Sequence, residues 1–261
     1  SPFEEPTRHF QFDDQGITDK IINARRISEH LVPIPKPKSK NTQVGLFDEE
    51  LANEQRRSNG FINRLRDEVR TWRLGGHARI TNTTRRLLEY WTNPKRERRL
   101  YFCQIEAIET AIYLAEVVSS SDPGHIMEKL KEGNEAGNQD LFRIAFKMAT
   151  GSGKTLVMAM LIAWQALNKA ANPQDERFSD AFLVVTPGIT IRDRLRVLQP
   201  NDPENYYRLH DLVPTQMMGQ LQRASIVITN YHAFIRKETV KAGKLTKDIL
   251  AQEGNEEGFL E

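Results

Sequence analysis

The sequence has very little cysteine and no long apolar run, and both shortages exclude classes of protein. Cys103 is the only cysteine among 261 residues, which rules out an internal disulfide and a cysteine-based zinc site and fits a reducing cytoplasm. The longest apolar stretch, residues 156–167, is too short to span a membrane. No charged segment followed by an apolar one occurs at Ser1, so no secretory signal is predicted. We therefore expect a cytoplasmic protein.

The segment from Lys147 to Thr155 carries the strongest functional signal. The apolar residues 141–146 before it predict a short buried strand, and residues 156–167 after it predict a buried helix. A strand, a glycine loop, Gly-Lys-Thr and a helix together favour a phosphate-binding loop, because glycine backbone and a helix N-terminus bring N–H groups to phosphate oxygens. Met148 stands where the general pattern has glycine. The alternative is a chance Gly-Ser-Gly turn before a core helix, but the order of elements favours a nucleotide site.

Charge is spread unevenly along a chain whose net charge is only +2. Thirteen basic residues fall between positions 56 and 99 and face only four acidic ones there. The basic residues are Arg56, Arg57, Arg64, Arg66, Arg70, Arg73, Arg79, Arg85, Arg86, Lys95, Arg96, Arg98 and Arg99. Such a segment is typical of a polyanion contact, and equally of two helices with solvated arginine-rich faces.

Periodicity and punctuation divide the chain into three parts. Residues 1–41 end in alternating prolines and predict an extended arm, residues 42–98 a small basic helical region, and residues 99–261 an α/β domain. Helices are expected over 47–72, 83–91, 105–118 and 189–198, a polar loop over 119–140, and buried strands over 180–186 and 224–230. Strands alternating with helices predict a mostly parallel sheet covered on both faces.

Four short motifs, spread over residues 85–234, resemble those of superfamily-2 DEAD/DEAH-type helicases. More narrowly, the chain is similar to the helicase subunit of type III restriction enzymes and related bacterial defence proteins. Residues 149–155 match the family's motif I, and Gln104 stands where the family has an adenine-reading glutamine. Residues 186–188 resemble motif Ia, and residues 229–232 resemble the strand end just before motif II.

The resemblance implies a RecA-like P-loop fold, ATP and Mg²⁺ as cofactors, and an ATP-dependent helicase or translocase of an antiviral restriction system. It assigns catalysis to Lys154 and Thr155, with Thr155 also as the metal ligand. DNA is the implied partner, duplex first, together with a DNA methyltransferase subunit. The implied nucleotide-binding residues are Gln104, Ala149, Thr150, Gly151, Ser152, Gly153, Lys154 and Thr155. The implied nucleic-acid contacts are Thr186, Pro187, Gly188 and Arg192.

The acidic box that this family uses to hold Mg²⁺ and position water is not found at a strand end. Asp48 to Glu50 lies in the amino-terminal region, and Asp67 with Glu68 lies within a predicted helix. Residues 99–261 are therefore expected to be an incomplete first RecA-like domain that ends before motif II. Two alternatives stay open: a nucleotide-dependent binding or scaffold module that does not hydrolyse ATP, and a small-molecule P-loop kinase. Whether the substrate is duplex DNA, single strands or RNA is also open.

Overall fold

The computed structural model describes residues 1–13, 16–32, 55–118, 124–137 and 141–234. The helices are α1 (Gly60–Leu74), α2 (Asn82–Thr92), α3 (Phe102–Ile112), α4 (Gly124–Gly137), α5 (Lys154–Ala171), α6 (Ile189–Arg194), α7 (Tyr206–Leu209) and α8 (Met218–Leu221). The strands are β1 (His9–Asp13), β2 (Gly16–Ile22), β3 (Glu29–Val32), β4 (Gln55–Ser58), β5 (Ala181–Thr186) and β6 (Ser225–Asn230).

The amino-terminal segment folds onto α3 and is not the extended arm predicted for residues 1–41. Strands β1 and β2 form an antiparallel pair in which His9 faces Ile22, and β3 pairs with β4. The N–H of Phe102 donates to the carbonyl of Pro2 at 2.8 Å, which ties the chain start to the beginning of α3. The prediction is therefore wrong for the described part of this segment. It followed the prolines at 33–37, and residues 33–41 lie outside the described ranges.

Helix α1 confirms the predicted apolar stripe but begins later than predicted. Leu65, Val69 and Trp72 are buried, and the helix gives way to glycines at Gly75 and Gly76, the second in the left-handed region at φ +80°. Residues 55–58, predicted to be helical, form β4 instead, because their backbone pairs with β3. Residues 47–54 of the same prediction lie outside the described ranges.

Helices α2 and α3 agree with the predicted helices and bring the basic region and the α/β part into one core. The hydroxyl of Thr81 caps α2 by accepting from the Thr84 N–H at 3.0 Å. A π-helical turn, Tyr113–Val118, continues α3. Apolar residues from both sides of the predicted boundary at 98/99 belong to one buried cluster. The boundary itself stays a prediction.

Helix α5 lies at the centre of that core and is held there by a buried polar network. The fully buried Glu116 carboxylate accepts from the Thr84 hydroxyl at 2.6 Å and from the Trp164 indole at 2.8 Å. The Asn168 amide also donates to the Thr84 hydroxyl, at 2.9 Å. A buried carboxylate needs such donors, so the network fixes how α2, the π turn and α5 meet. Among the described residues, no helix is long and apolar enough to cross a bilayer.

Strands β5 and β6 form a parallel pair in which Ala181 faces Ser225 and Thr186 faces Asn230. This pair confirms the strands predicted at 180–186 and 224–230 and their parallel arrangement. Helix α6 and the 3-10 turn Leu195–Leu198 follow β5, as predicted for 189–198. Leu183, Val185 and Val227 are exposed, so in the described part of the chain one face of this pair is not covered as predicted.

Two further predictions are wrong in the described residues. Residues 141–146 have no regular secondary structure, and Leu141, Phe142 and Ile144 are exposed rather than buried. A strand needs a neighbour to receive its backbone hydrogen bonds, and no strand of the described residues pairs with this segment. Within the predicted loop 119–140, residues 124–137 form α4, while 119–123 and 138–140 lie outside the described ranges.

Candidate functional site

The loop before α5 has the backbone geometry that binds phosphate. Gly151 and Gly153 lie in the left-handed region, at φ +79° and +82°, which side chains other than glycine adopt only with strain. Helix α5 begins directly afterwards, at Lys154. The N–H groups of Leu156 and Val157 both donate to the Gly153 carbonyl, at 2.9 and 3.2 Å. The N–H groups of Lys154 and Thr155 precede them at the helix end, where a helix supplies no acceptor and an anion is stabilised.

The Lys154 side chain folds back over this loop. Its ammonium group donates to the carbonyls of Met148 and Ala149, at 3.2 and 3.0 Å, and the residue is exposed. The Ser152 hydroxyl also donates to the Ala149 carbonyl, at 2.7 Å. In these contacts, side chains of the loop satisfy carbonyl groups of the same loop. Because Lys154 is exposed, its ammonium group can give up these two carbonyl acceptors and bind phosphate oxygens instead.

Gln104 holds the loop from the other side. Its side-chain oxygen accepts from the Tyr101 N–H at 2.9 Å, and its amide nitrogen donates to the Ser152 carbonyl at 3.0 Å. The side chain is almost fully buried, with 4% exposed. A Cβ atom at position 153 would lie 2.3 Å from that amide nitrogen. Position 153 therefore requires glycine for its backbone angle and also for the approach of Gln104.

A cavity of about 550 Å³ opens between the loop and the start of α3. It brings together six residues predicted for the nucleotide site, namely Gln104, Thr150, Gly151, Gly153, Lys154 and Thr155. The other two predicted residues, Ala149 and Ser152, take part in the loop contacts above and are not among the residues that line the cavity. Sequence reasoning missed Tyr206 and His210, which come from α7 and the residue after it and also line the cavity. No local motif marks them, because only the tertiary fold carries them there.

The residues predicted to contact nucleic acid lie elsewhere, at the carboxyl end of β5. The Thr186 hydroxyl, 3% exposed, is 3.1 Å from the Gly188 carbonyl and 3.3 Å from the Thr229 carbonyl. It thus joins the ends of β5 and β6 and does not face solvent. Pro187 is exposed, whereas the Arg192 side chain lies against the neighbouring Asp193 at 3.0 Å.

Several arginines of the basic segment are engaged inside the protein. Arg73 pairs with the fully buried Glu109 at 2.7 Å, and Arg66, which is mostly shielded from solvent, lies 3.8 Å from Glu106. The Arg96 guanidinium, 4% exposed, donates to the carbonyls of His210 and Asp211 at 3.0 and 2.6 Å. These arginines are engaged in internal contacts, so a polyanion contact stays a prediction for the exposed members of the segment. The exposed members are Arg64, Arg70, Arg79, Arg85, Arg86, Lys95, Arg98 and Arg99.

The lining of the cavity does not supply the carboxylates that would hold a metal ion by itself. No aspartate or glutamate is among its lining residues, all of which are described. The described residues also contain no group of three or more metal-ligating side chains. The Thr155 hydroxyl could contribute one oxygen ligand to Mg²⁺, whose other positions phosphate oxygens and water can fill. Asp175 and Glu176, which sequence reasoning passed over, lie between α5 and β5, where Asp175 pairs with Arg177 at 2.7 Å.

Comparison with known proteins places the chain in one family. No curated protein and no solved structure matches it. Residues 97–256, more than half of the chain, match the model of the family described as Type III restriction enzyme, res subunit. The matching domain is of the ATP-dependent helicase type found in restriction systems and implies a RecA-like α/β fold, which the helices and the parallel pair β5–β6 fit. The chain therefore belongs to the type III restriction enzyme res-subunit family.

Proposed function

We propose that this chain binds Mg²⁺–ATP in the cavity before α5 and serves as the ATP-binding part of a nucleic-acid-dependent ATPase of a restriction system. The observation that carries the proposal is the loop itself. Two left-handed glycines, an open helix N-terminus and a solvent-facing lysine meet at one wall of a cavity large enough for a nucleotide. The family supports the same activity.

Each loop residue has a separate task in this proposal. The N–H groups at the start of α5 bind the inner phosphates, and Lys154 exchanges its carbonyl contacts for the terminal phosphate. The Thr155 hydroxyl coordinates Mg²⁺. The Gln104 amide has two donors and two acceptor positions, of which the loop and the Tyr101 N–H engage one each. One donor and one acceptor position remain, which is the number that a bidentate contact with adenine requires.

The carboxyl ends of β5 and β6 are the proposed nucleic-acid contact. In open α/β sheets ligands bind beyond the carboxyl ends of parallel strands, and both strands end here in register. Because the Thr186 hydroxyl is buried, the contact falls to the backbone near Pro187 and Gly188 and to Arg192, whose surface pair with Asp193 is weak. Duplex DNA is the proposed ligand and a methyltransferase subunit the proposed partner, both on the strength of the family.

A second candidate is a nucleotide-dependent binding module that does not hydrolyse ATP. The observation that favours it is the absence of any carboxylate among the cavity-lining residues. Hydrolysis needs a group that positions water and a metal ion that neutralises charge on the phosphates. Both candidates require the same nucleotide site, so binding is tested before turnover.

Calorimetric titration with Mg²⁺–ATP tests the site. Lys154→Ala removes the lysine that faces the terminal phosphate, and a charge-assisted contact of this kind is worth about 1.5–3 kcal/mol, so affinity should fall about tenfold to a hundredfold. Lys147→Ala is the matched control, since Lys147 is exposed near the same loop but does not line the cavity. Equal affinities for the wild type and Lys154→Ala would reject the site.

A further inference from the structure

Two aromatic residues from a later segment of the chain line the cavity together with the loop before α5. These are Tyr206 and His210, and their rings meet edge to face with centroids 4.6 Å apart. Both residues are half-buried, so their rings are supported by protein and still reach the cavity. A nucleotide whose phosphates lie at the start of α5 must place its base and ribose in the remaining space. That space is bounded by these rings, by Tyr101 and by the Gln104 amide.

The segment that carries the two rings is fixed on both sides. Tyr207, between them in sequence, is fully buried, and its hydroxyl donates to the Leu198 carbonyl at 2.8 Å. Asn205 caps α7 by accepting from the Arg208 N–H at 3.0 Å. On the far side, the Trp91 indole donates to the Leu212 carbonyl at 2.7 Å. Rings held in this way are preorganised, so a ligand that stacks on them loses little conformational entropy of the protein.

We propose that Tyr206 and His210 form the base-contacting wall of the nucleotide site, with the Tyr206 ring stacking on the base and the His210 ring at its edge or at the ribose. The proposal rests on the proposed nucleotide binding and adds the residues that recognise the non-phosphate half of the ligand. Aromatic rings stack on any nucleobase, because every base has a π face. The stacking wall thus supplies affinity, and Gln104 supplies the choice between bases.

The charge state of His210 agrees with this role. Burial, and then the nearby Arg98 cation, lower the pKa of His210. The ring is therefore neutral at neutral pH, with one nitrogen as donor and the other as acceptor. A neutral imidazole can pair with a base edge or a ribose hydroxyl in either sense.

Comparing Mg²⁺–ATP with Mg²⁺–tripolyphosphate separates the base from the phosphates. In the full chain, Tyr206→Ala should weaken ATP binding by about fivefold to a hundredfold, the range expected for one lost base–aromatic stack. It should leave the affinity for tripolyphosphate unchanged. Tyr206→Phe keeps the ring and should restore ATP affinity, and His210→Ala should weaken ATP alone. Tyr231→Ala and His232→Ala are matched controls, because those two rings also stack, at 3.9 Å, but do not line the cavity.

The outcomes distinguish this inference from the proposed function. If the wild type binds neither ATP nor tripolyphosphate, the proposed nucleotide site is wrong, and so is the proposed base-contacting wall. If the wild type binds both and Tyr206→Ala binds ATP equally well, the nucleotide site stands and the wall is overturned. Equal losses for ATP and tripolyphosphate in Tyr206→Ala also overturn it, since the ring would then support the loop and not the base.

Discussion

Gln104 contacts the phosphate-binding loop and also lies where the sequence predicts an adenine-reading glutamine. The pattern predicts an adenine-reading glutamine, and the structure adds a direct bond from its amide to the loop carbonyl of Ser152 at 3.0 Å. The same side chain thus links the base end of the cavity to the phosphate end. A base that moved Gln104 would also move the loop through this bond. The glutamine therefore positions the loop, and in the proposed site it would also read the base.

Replacing Gln104 should therefore change both affinity and base preference. Gln104→Ala loses the bidentate base contact, which is worth about 1–3 kcal/mol of discrimination, so the ratio of ATP to GTP affinity should move towards one. Affinity for tripolyphosphate should also fall, because the loop loses its support from α3. Titrations with ATP, GTP and tripolyphosphate measure both effects, with Gln220→Ala on the exposed surface as control. An unchanged ATP to GTP ratio would leave Gln104 with the structural task alone.

At the scale of single residues, the sequence predicts what is local and misses what is brought in by folding. Gly151, Gly153 and Lys154 are contiguous, and their backbone angles follow from glycine chemistry, so the pattern identifies them without a structure. Tyr206 and His210 lie about fifty residues further along the chain and carry no motif. Their place in the cavity depends on how Tyr207 packs in the core, which a linear pattern does not contain.

At the scale of elements, Arg96 joins α2 to the segment after α7. Its guanidinium donates to the carbonyls of His210 and Asp211 and, at 3.2 Å, to that of Tyr90, whose ring it also covers at 4.9 Å. The Tyr90 hydroxyl in turn contacts the Asp211 carboxylate. Burial and this hydrogen bond raise the pKa of Tyr90 to about 12. An arginine that sequence reasoning assigned to a basic surface is thus a buried connection behind the proposed base wall.

Removing Arg96 should therefore lower the stability of the protein, whereas removing Arg98 should change only its binding to DNA. Arg96→Ala leaves several carbonyls without their charged donor, so the free energy of unfolding should fall by about 2–3 kcal/mol, while Arg98→Ala, on the surface, should change it by less than about 0.5 kcal/mol. In DNA titrations, removal of the exposed Arg98 should make the slope of log K against log salt shallower by up to about 0.9. Denaturant unfolding and salt-dependent binding measure the two effects. If Arg96→Ala kept the wild-type free energy of unfolding but made the salt slope of DNA binding shallower, Arg96 would be a surface contact to DNA and not an internal connection.

Elements that carry their own stabilisation were predicted better than those that need a partner. Helix α2 carries its cap, Thr81, and its buried stripe within one short stretch of sequence, and its bounds agree with the prediction to within a residue. Residues 141–146 have the apolar composition of a buried strand but obtain no backbone partner in the described residues. Strand formation depends on a neighbour that local sequence does not specify, whereas a helix satisfies its own backbone.

At the scale of the whole molecule, the phosphate end of the proposed nucleotide cavity is open to solvent. This end is formed by the loop and the first turn of α5, where Gly151 and Lys154 are exposed to solvent. Charge interactions across water are weaker than across protein, so phosphates bound there are stabilised less than in a closed site. One face of the β5–β6 pair, which carries Leu183, Val185 and Val227, is likewise exposed to solvent.

Residues 1–261 should therefore bind ATP but show negligible turnover, with or without DNA. No carboxylate is among the residues that line the cavity, so none is placed there to position water, and hydrolysis needs such a group. Phosphate release measured on the purified chain checks this expectation, with Lys154→Ala as the background. A longer chain that adds an acidic box and a second RecA-like domain should show DNA-stimulated hydrolysis that Lys154→Ala abolishes. Robust turnover by residues 1–261 that disappears in Lys154→Ala would contradict the expectation, and it would require a metal-holding carboxylate outside the lining of this cavity.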